Sequence, residues 1–359
     1  MSLGALPFSG KNPSHTPTMH TEFARKWQSR TKWARFLPMI TSAPALFLAP
    51  MEGVTDAPMR AFLTELGGFT HVVSEFLRVN HEIYPKHVFI KHVPELDHGC
   101  LTSSGKPVIF QILGGDEKMM AANAEKAVAL GVQAIDINFG CPSPTVNNSD
   151  GGATLLKYPA RLRSIVAAVR AALPREISVS AKLRLGWDNI NDIDTNFDAA
   201  VEGGADFITI HGRTRMQGYT RPAYWEPIGR MRARSPVPVV ANGEIWTLDD
   251  FKRCRDITGC SHFMLGRGIL ADPYLARAVA HEMGLASQSS ARLSEEYEAW
   301  LPHFKRFAEL SLARTTKAEY TVKRIKQWGN FATKGRELKW FEKVKRLESL
   351  EEILSPLIS

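Results

Sequence analysis

The sequence predicts an α/β protein, a (β/α)8 TIM barrel followed by a small all-α helical domain, and three observations carry that reading. From residue 46 onward, short apolar or β-branched runs alternate with longer helical patterns, which implies parallel strands joined by helices. Eight such repeats fill about 230 residues, close to the ~250 typical of this barrel. Each run also ends in polar or glycine-rich residues at the same phase of its repeat. A doubly wound parallel sheet is the alternative arrangement of the same alternation.

The strand-like runs fall at 46–49, 71–74, 108–112, 134–137, 178–183, 207–210, 237–241 and 262–265. Between them, apolar residues recur at helical spacing over 119–130, 161–172, 192–202 and 247–255. After about residue 285 the strands cease, and 295–312, 319–328 and 337–347 read as helices alone. The expected organisation is a basic, poorly ordered N-terminal extension over 1–44, a barrel domain over 45–285 and a helical domain over 286–359.

Active sites of this barrel lie at the C-terminal ends of its strands. Those ends carry, in order, Met51 with Glu52, Glu75, Gln111, Asn138 with Cys141, Lys182 with Arg184, His211, Asn242 with Glu244, and Gly266 with Arg267. A solvated loop residue is the simpler reading of any one of them; eight at one phase favour a shared cavity. Cys141 is the most telling. An alternating strand ends at Asn138, Gly140 permits an abrupt turn and Pro142 stiffens the exit, so a thiol is presented just past a buried strand. That makes it a candidate acid rather than a core cysteine.

The last two strands end in Asn242-Gly243-Glu244 and Gly266-Arg267-Gly268. Backbone N–H groups in such loops commonly hold a phosphate, and Arg267 adds a forked cationic donor. Lys182 suits the place beside a ring that gains negative charge, with a salt-bridged lysine as the plain alternative. His211 reads equally as a phosphate or ring contact and as a capping histidine. No metal is expected.

Composition narrows the partners. The chain is 44% hydrophobic and 23% charged, ordinary for a soluble globular protein. Its net charge of +8 is concentrated: residues 1–45 carry +5 and residues 311–348 carry +7, leaving −4 on the rest. Basic ends on an acidic body point to a polyanion, with a solvated lysine-rich helix face as the bland reading. Four cysteines without a CxxC pair fit a reducing compartment, hence the cytoplasm. The apolar stretch 36–51 is short and broken by three prolines, so neither a leader nor a membrane span is expected.

Taken in order, Ala49-Pro50-Met51-Glu52-Gly53-Val54-Thr55-Asp56, Asn138-Phe139-Gly140-Cys141-Pro142, Gly151-Gly152-Ala153-Thr154-Leu155-Leu156, Lys182-Leu183-Arg184-Leu185-Gly186-Trp187, His211-Gly212-Arg213-Thr214, Asn242-Gly243-Glu244-Ile245-Trp246 and Gly266-Arg267-Gly268 resemble the tRNA-dihydrouridine synthases over about residues 45–350. Arg324-Ile325-Lys326-Gln327-Trp328 is similar to the bacterial C branch of that family. The combination is specific, whereas no single piece is.

The resemblance implies an FMN-binding barrel with a helical tRNA-binding domain. Pro50, Met51, Glu52, Gln111, Lys182, Asn242, Gly243, Glu244, Gly266 and Arg267 match FMN-contacting positions, with His211 a further contact, and Cys141 matches the proton donor. In the implied reaction NADPH reduces FMN, which gives hydride to C6 of a D-loop uridine (position 16), and Cys141 protonates C5 to yield 5,6-dihydrouridine. Asn138 is expected at the uracil edge and Arg184 at the RNA backbone. Lys323, Arg324 and Lys326, with the later basic residues Lys334, Arg336, Lys339, Lys343, Lys345 and Arg346, are expected to face tRNA. Trp328 and Trp340 either stack on RNA or pack in the core. A monomer is expected.

Three features depart from the family's pattern. Pro144 stands where a lysine is frequent, Asn148 and Asp150 replace frequent glycines, and the basic N-terminal extension has no counterpart. Two other readings remain: an FMN barrel reducing a small pyrimidine or enone, which leaves the basic tail without a task, and a tRNA-binding protein with vestigial chemistry, against which Cys141 and Lys182 argue.

Overall fold

The computed structural model describes residues 40, 43–147 and 150–357. The expected extension over 1–44 therefore lies outside the described residues, apart from Ile40, Ala43 and Pro44. The described residues form nine strands: β1 Ala45–Leu48, β2 His71–Val73, β3 Leu77–Arg78, β4 Val108–Leu113, β5 Ala134–Asn138, β6 Ser178–Arg184, β7 Phe207–His211, β8 Val239–Asn242 and β9 His262–Leu265. Their pairings are all parallel. β1 pairs with both β2 and β9, and β2 pairs with β4, so the sheet closes and the doubly wound alternative is excluded. β3 merely continues β2 along β4; two residues carry no alternation that a sequence could show.

The helices between strands follow local chemistry. Asp116 caps Glu117–Ala129 by accepting from the N–H groups of Lys118 and Met119 at 2.9 and 3.0 Å. Thr247 and Asp250 form a reciprocal capping box for Leu248–Thr258, and Gly259 ends that helix at φ 61°. Inside the barrel, Phe47, Val73, Ile109, Phe207, Val240 and Met264 fill the space beneath the C-terminal rim. The last strands differ a little from expectation. β8 begins at Val239 because Pro238 has no N–H to give the ladder, though its carbonyl still accepts from Ile208.

The tail helices Tyr297–Leu312 and Ala318–Ala332 pack on the barrel helix Ala57–Glu65 and on the short helix Gly268–Ala271. The second runs four residues past the expected end at Trp328. Gly329 lies inside it, and the Phe341 ring packs where a Cβ would stand, 2.7 Å away. The helix expected over 337–347 shrinks to Phe341–Val344, because Leu338 and Trp340 are drawn into the interior. Trp300, Phe304, Trp328 and Trp340 form one ring cluster that also takes in Phe62 of the barrel, 5.1 Å from Trp328. The Trp328 Nε1–H donates to the Leu270 carbonyl at 2.9 Å. Both tryptophans with two readings are therefore core residues.

Trp328→Ala should lower unfolding free energy by about 3–5 kcal/mol, as truncation of a buried aromatic does. Denaturant unfolding followed by circular dichroism checks this; a change confined to the tail's helical signal would show that tail and barrel unfold separately.

Candidate active site

A cavity of about 670 Å³ opens at the C-terminal rim of the barrel. Nearly every strand end contributes: Met51 and Glu52 follow β1, Cys141 follows β5, Lys182 and Arg184 belong to β6, His211 to β7, Asn242 to β8, and Arg267 follows β9. Pro50, Asn138, Gly243, Glu244 and Gly266 complete the expected residues in its wall.

Cys141 is held by its neighbours rather than by strained backbone. The Asn138 side-chain oxygen accepts from the N–H groups of Gly140 at 2.9 Å and Cys141 at 3.0 Å. Gly140 does not adopt the left-handed backbone expected of an abrupt turn; its missing Cβ instead leaves room for Arg184 Cγ at 3.4 Å. The glycine that needs a positive φ is Gly152, at 58°, where a Cβ would stand 3.2 Å from that of Cys141. Burial raises the Cys141 thiol above its ordinary range, and the Glu52 charge adds to the shift. Pro144, itself exposed, opens the short helix Pro144–Asn147, and Asn148 lies outside the described residues. Asp150 sits at φ 58°, which explains why glycine suits that position; its carboxylate is fastened to Arg161 at 2.8 and 2.6 Å.

The β6–β9 part of the wall is cationic. Lys182 donates to Asn242 Oδ1 at 3.3 Å, and burial pulls it down to about 8. Arg267 lies over the rings of Tyr219 and Trp246, at 4.3 and 5.3 Å, and has no acidic partner among the described residues. Glu244 is occupied: its carboxylate binds Arg213, Arg221 at 2.6 Å and the Trp246 indole at 3.0 Å. His211 is pushed well below its usual range, by burial first and then by surrounding arginines and Lys182, so it is neutral. Its buried Nδ1 has no partner, and Gly243, at φ 113°, brings backbone within reach of the ring where a Cβ would stand 3.3 Å from Nε2. An unpaired ring nitrogen, an uncompensated arginine and glycine-lined backbone together suit an anionic, hydrogen-bonding group.

Other expected residues lie elsewhere. Gln111 is fully buried one layer below, its amide shared between Asp136 and Asn138. Arg184 borders the cavity, but its guanidinium donates to the carbonyls of Gly140, Thr214 and Gly218 at 2.8, 3.0 and 2.9 Å. Arg324 is turned inward, donating to Gly53 and Val54 carbonyls at 2.7 and 2.5 Å and to Asp56 at 3.1 Å. Lys323 is exposed and Lys326 half-buried on the same helix, away from the cavity. Glu75 does not line the cavity; it accepts from the Val54 N–H at 3.0 Å, and burial with the nearby Glu52 and Asp56 charges lifts it to about 7.

The dihydrouridine synthase family model matches residues 47–356. The chain belongs to the dihydrouridine synthase family. It is accordingly an enzyme, an oxidoreductase. A protein of Pseudomonas syringae pv. tomato named tRNA-dihydrouridine(16) synthase is 42% identical over 80% of this chain and 89% of its own length. One of the same name from Aquipseudomonas alcaligenes is 42% identical over 85% and 96% respectively, and one from Cupriavidus necator 47% identical over 64% and 72%. A solved 2-naphthoyl-CoA reductase complex shares the fold at TM-score 0.51 and 13% identity, covering 66% of this chain and 50% of that one.

The wall also contains Phe76, Tyr219 and Phe331, which sequence reasoning did not single out, and Lys334, which it expected to face tRNA. Tyr219 sits in an irregular loop with no pattern to read. Phe331 was within reach: apolar residues at 325, 328 and 332 continue the helical period past Trp328.

Because its thiol is raised, Cys141 should alkylate with iodoacetamide only at pH above that needed for an unperturbed cysteine (~8.5), since the thiolate is the reactive form. Mass-spectrometric labelling across pH 7–11 checks this, and rapid labelling at neutral pH would show a depressed pKa instead.

Proposed function

We propose that this enzyme reduces a D-loop uridine of tRNA, uridine 16, to 5,6-dihydrouridine with FMN as cofactor and NADPH as reductant. The observation that carries the reading is a raised, protonated thiol that shares one cavity with several cationic side chains at the rim of a dihydrouridine-synthase barrel. The names of the relatives support the nucleotide and its position.

In this reading Arg267 and the backbone around Gly243 and Gly266 hold the FMN phosphate, and Pro50, Met51, Glu52, Lys182, His211, Asn242 and Glu244 surround the rest, with Gln111 in the floor. Neutral His211 offers its free Nδ1 to a hydrogen-bonding partner, which a charged imidazolium could not do as an acceptor. When bound, FMN supplies the hydride for C6 of the uracil. Cys141 gives its proton to C5 from the opposite face, a task that suits a thiol kept protonated near neutrality by burial. Lys182, cationic below about pH 8, stabilises negative charge as electrons enter the site.

The base must leave the stack of a folded tRNA, which costs a few kcal/mol that phosphate contacts offset. The division of labour assigns 45–285 to catalysis and 286–359 to RNA. Lys323 and Lys326 serve the RNA face. Arg324, saturated by the barrel, fixes the helix that carries them, and Arg184 supports the Cys141 turn beside the substrate. Asn138 meets the uracil edge. All four cysteines are free, which suits a reducing cytoplasm, and no described helix is long and apolar enough to cross a membrane. The protein acts as a monomer.

Cys141→Ala should keep flavin absorbance and tRNA affinity yet lower dihydrouridine formation by about 10²–10⁴-fold, the usual worth of a general acid. Full turnover in that variant, measured on unmodified tRNA, removes the acid role. Neutralising Lys323 and Lys326 together should weaken tRNA binding and reduce the slope of log K against log salt by roughly two phosphates' worth; an unchanged slope in filter-binding titrations places the RNA elsewhere.

A further inference from the structure

We infer that Asp136 is a positioning residue for the Cys141 turn and acts through Gln111 and Asn138. These side chains form one hydrogen-bonded line beneath the cavity, and its polarity is dictated from the turn. Asn138 Oδ1 is spent on the N–H groups of Gly140 and Cys141. The Asn138 nitrogen must therefore point the other way, and it donates to Gln111 Oε1 at 2.8 Å. Gln111 then has only Nε2 left, which donates to Asp136 Oδ2 at 2.6 Å. Ser180 Oγ donates to the other carboxylate oxygen at 2.5 Å.

Each amide has one accepting and one donating end, so two backbone donors at one extremity require an acceptor at the other. Asp136 is that acceptor. Gln111, Asp136 and Asn138 are 0%, 2% and 9% exposed, so solvent cannot readily replace a missing member, and a reversed amide would leave two donors or two acceptors face to face. Burial works against the ionised carboxylate, while the Lys182 ammonium on the neighbouring strand favours it. The line explains why Gln111, two residues inside the C-terminal end of β4, is fully buried with both ends of its amide engaged.

The catalytic consequence rests on the reading of Cys141 as proton donor; the geometric part does not. The test uses the full-length, FMN-loaded protein with flavin absorbance as the folding control. Asp136→Asn keeps an acceptor for Gln111, while its new nitrogen faces Ser180, whose hydroxyl can turn to the Ile135 carbonyl at 3.5 Å. Asp136→Leu removes the acceptor, and Gln111→Met cuts the line should the leucine variant fail to fold.

Iodoacetamide labelling of Cys141 against pH should follow the parent protein in Asp136→Asn and depart from it in both breaking variants. In those two, kcat should fall on the order of 10- to 100-fold with KM for tRNA little changed, as misplacement of a reacting group does. Parent-like labelling in both breaking variants overturns the proposal, and so does an asparagine variant as damaged as the leucine one, which would make the charge the operative feature. If Cys141→Ala retained turnover, the acid role would fail while the labelling profiles still judged the line.

Discussion

The parallel pairing of Ala45–Leu48 with His262–Leu265 turns a sheet into a closed ring, and the site depends on that closure. In an all-parallel barrel every C-terminal strand end meets the same rim, so residues as distant in sequence as Met51 and Arg267 share one cavity. Closure also sets the electrostatics. Lys182, Arg184, Arg213 and Arg267 converge where water is scarce, and each has its pKa drawn down by burial. Only Arg213 among these four is ion-paired with an acid of the wall, Glu244. Such a rim is poised for an anion.

The two sides of the cavity are prepared differently. On the β5 side, the thiol is fixed by side-chain hydrogen bonds to the backbone of its own turn and lifted toward its protonated form. On the β7–β9 side, an unpaired imidazole nitrogen and a ring-stacked arginine leave donor and acceptor capacity open. A protonated thiol on one side and open hydrogen-bonding capacity on the other is the division that the proposed reduction would use.

Every strand but β3 was legible as a short apolar run leading to a polar or glycine-rich end, and β9 coincides with its expected span. Cys141, Lys182 and Arg267 were legible because chemistry-bearing residues at strand ends repeat with the barrel. What the sequence hid was direction. Arg324 lies in a basic run that suggests solvent, yet three barrel backbone or carboxylate groups claim it. Trp328 and Trp340 are ambiguous by composition and are settled by packing against Phe62 and Phe304, 266 and 24 positions from Trp328. Tyr219 reaches the cavity from an irregular loop, and no periodicity marks it.

Gly335 lies so close to Trp246 that an added Cβ would stand 2.7 Å from the indole, and Arg336 donates to the carbonyls of Ala271 and Leu293 at 3.3 and 2.7 Å. The C-terminal helices are thus keyed into the very loop that follows β8. A chimaera that exchanged them for those of another relative would inherit a mismatched seat for that indole, and with it a reshaped wall beside Arg267. The seat of the tail and the shape of the rim are inherited together, so exchanging the tail alone would disturb the wall beside Arg267.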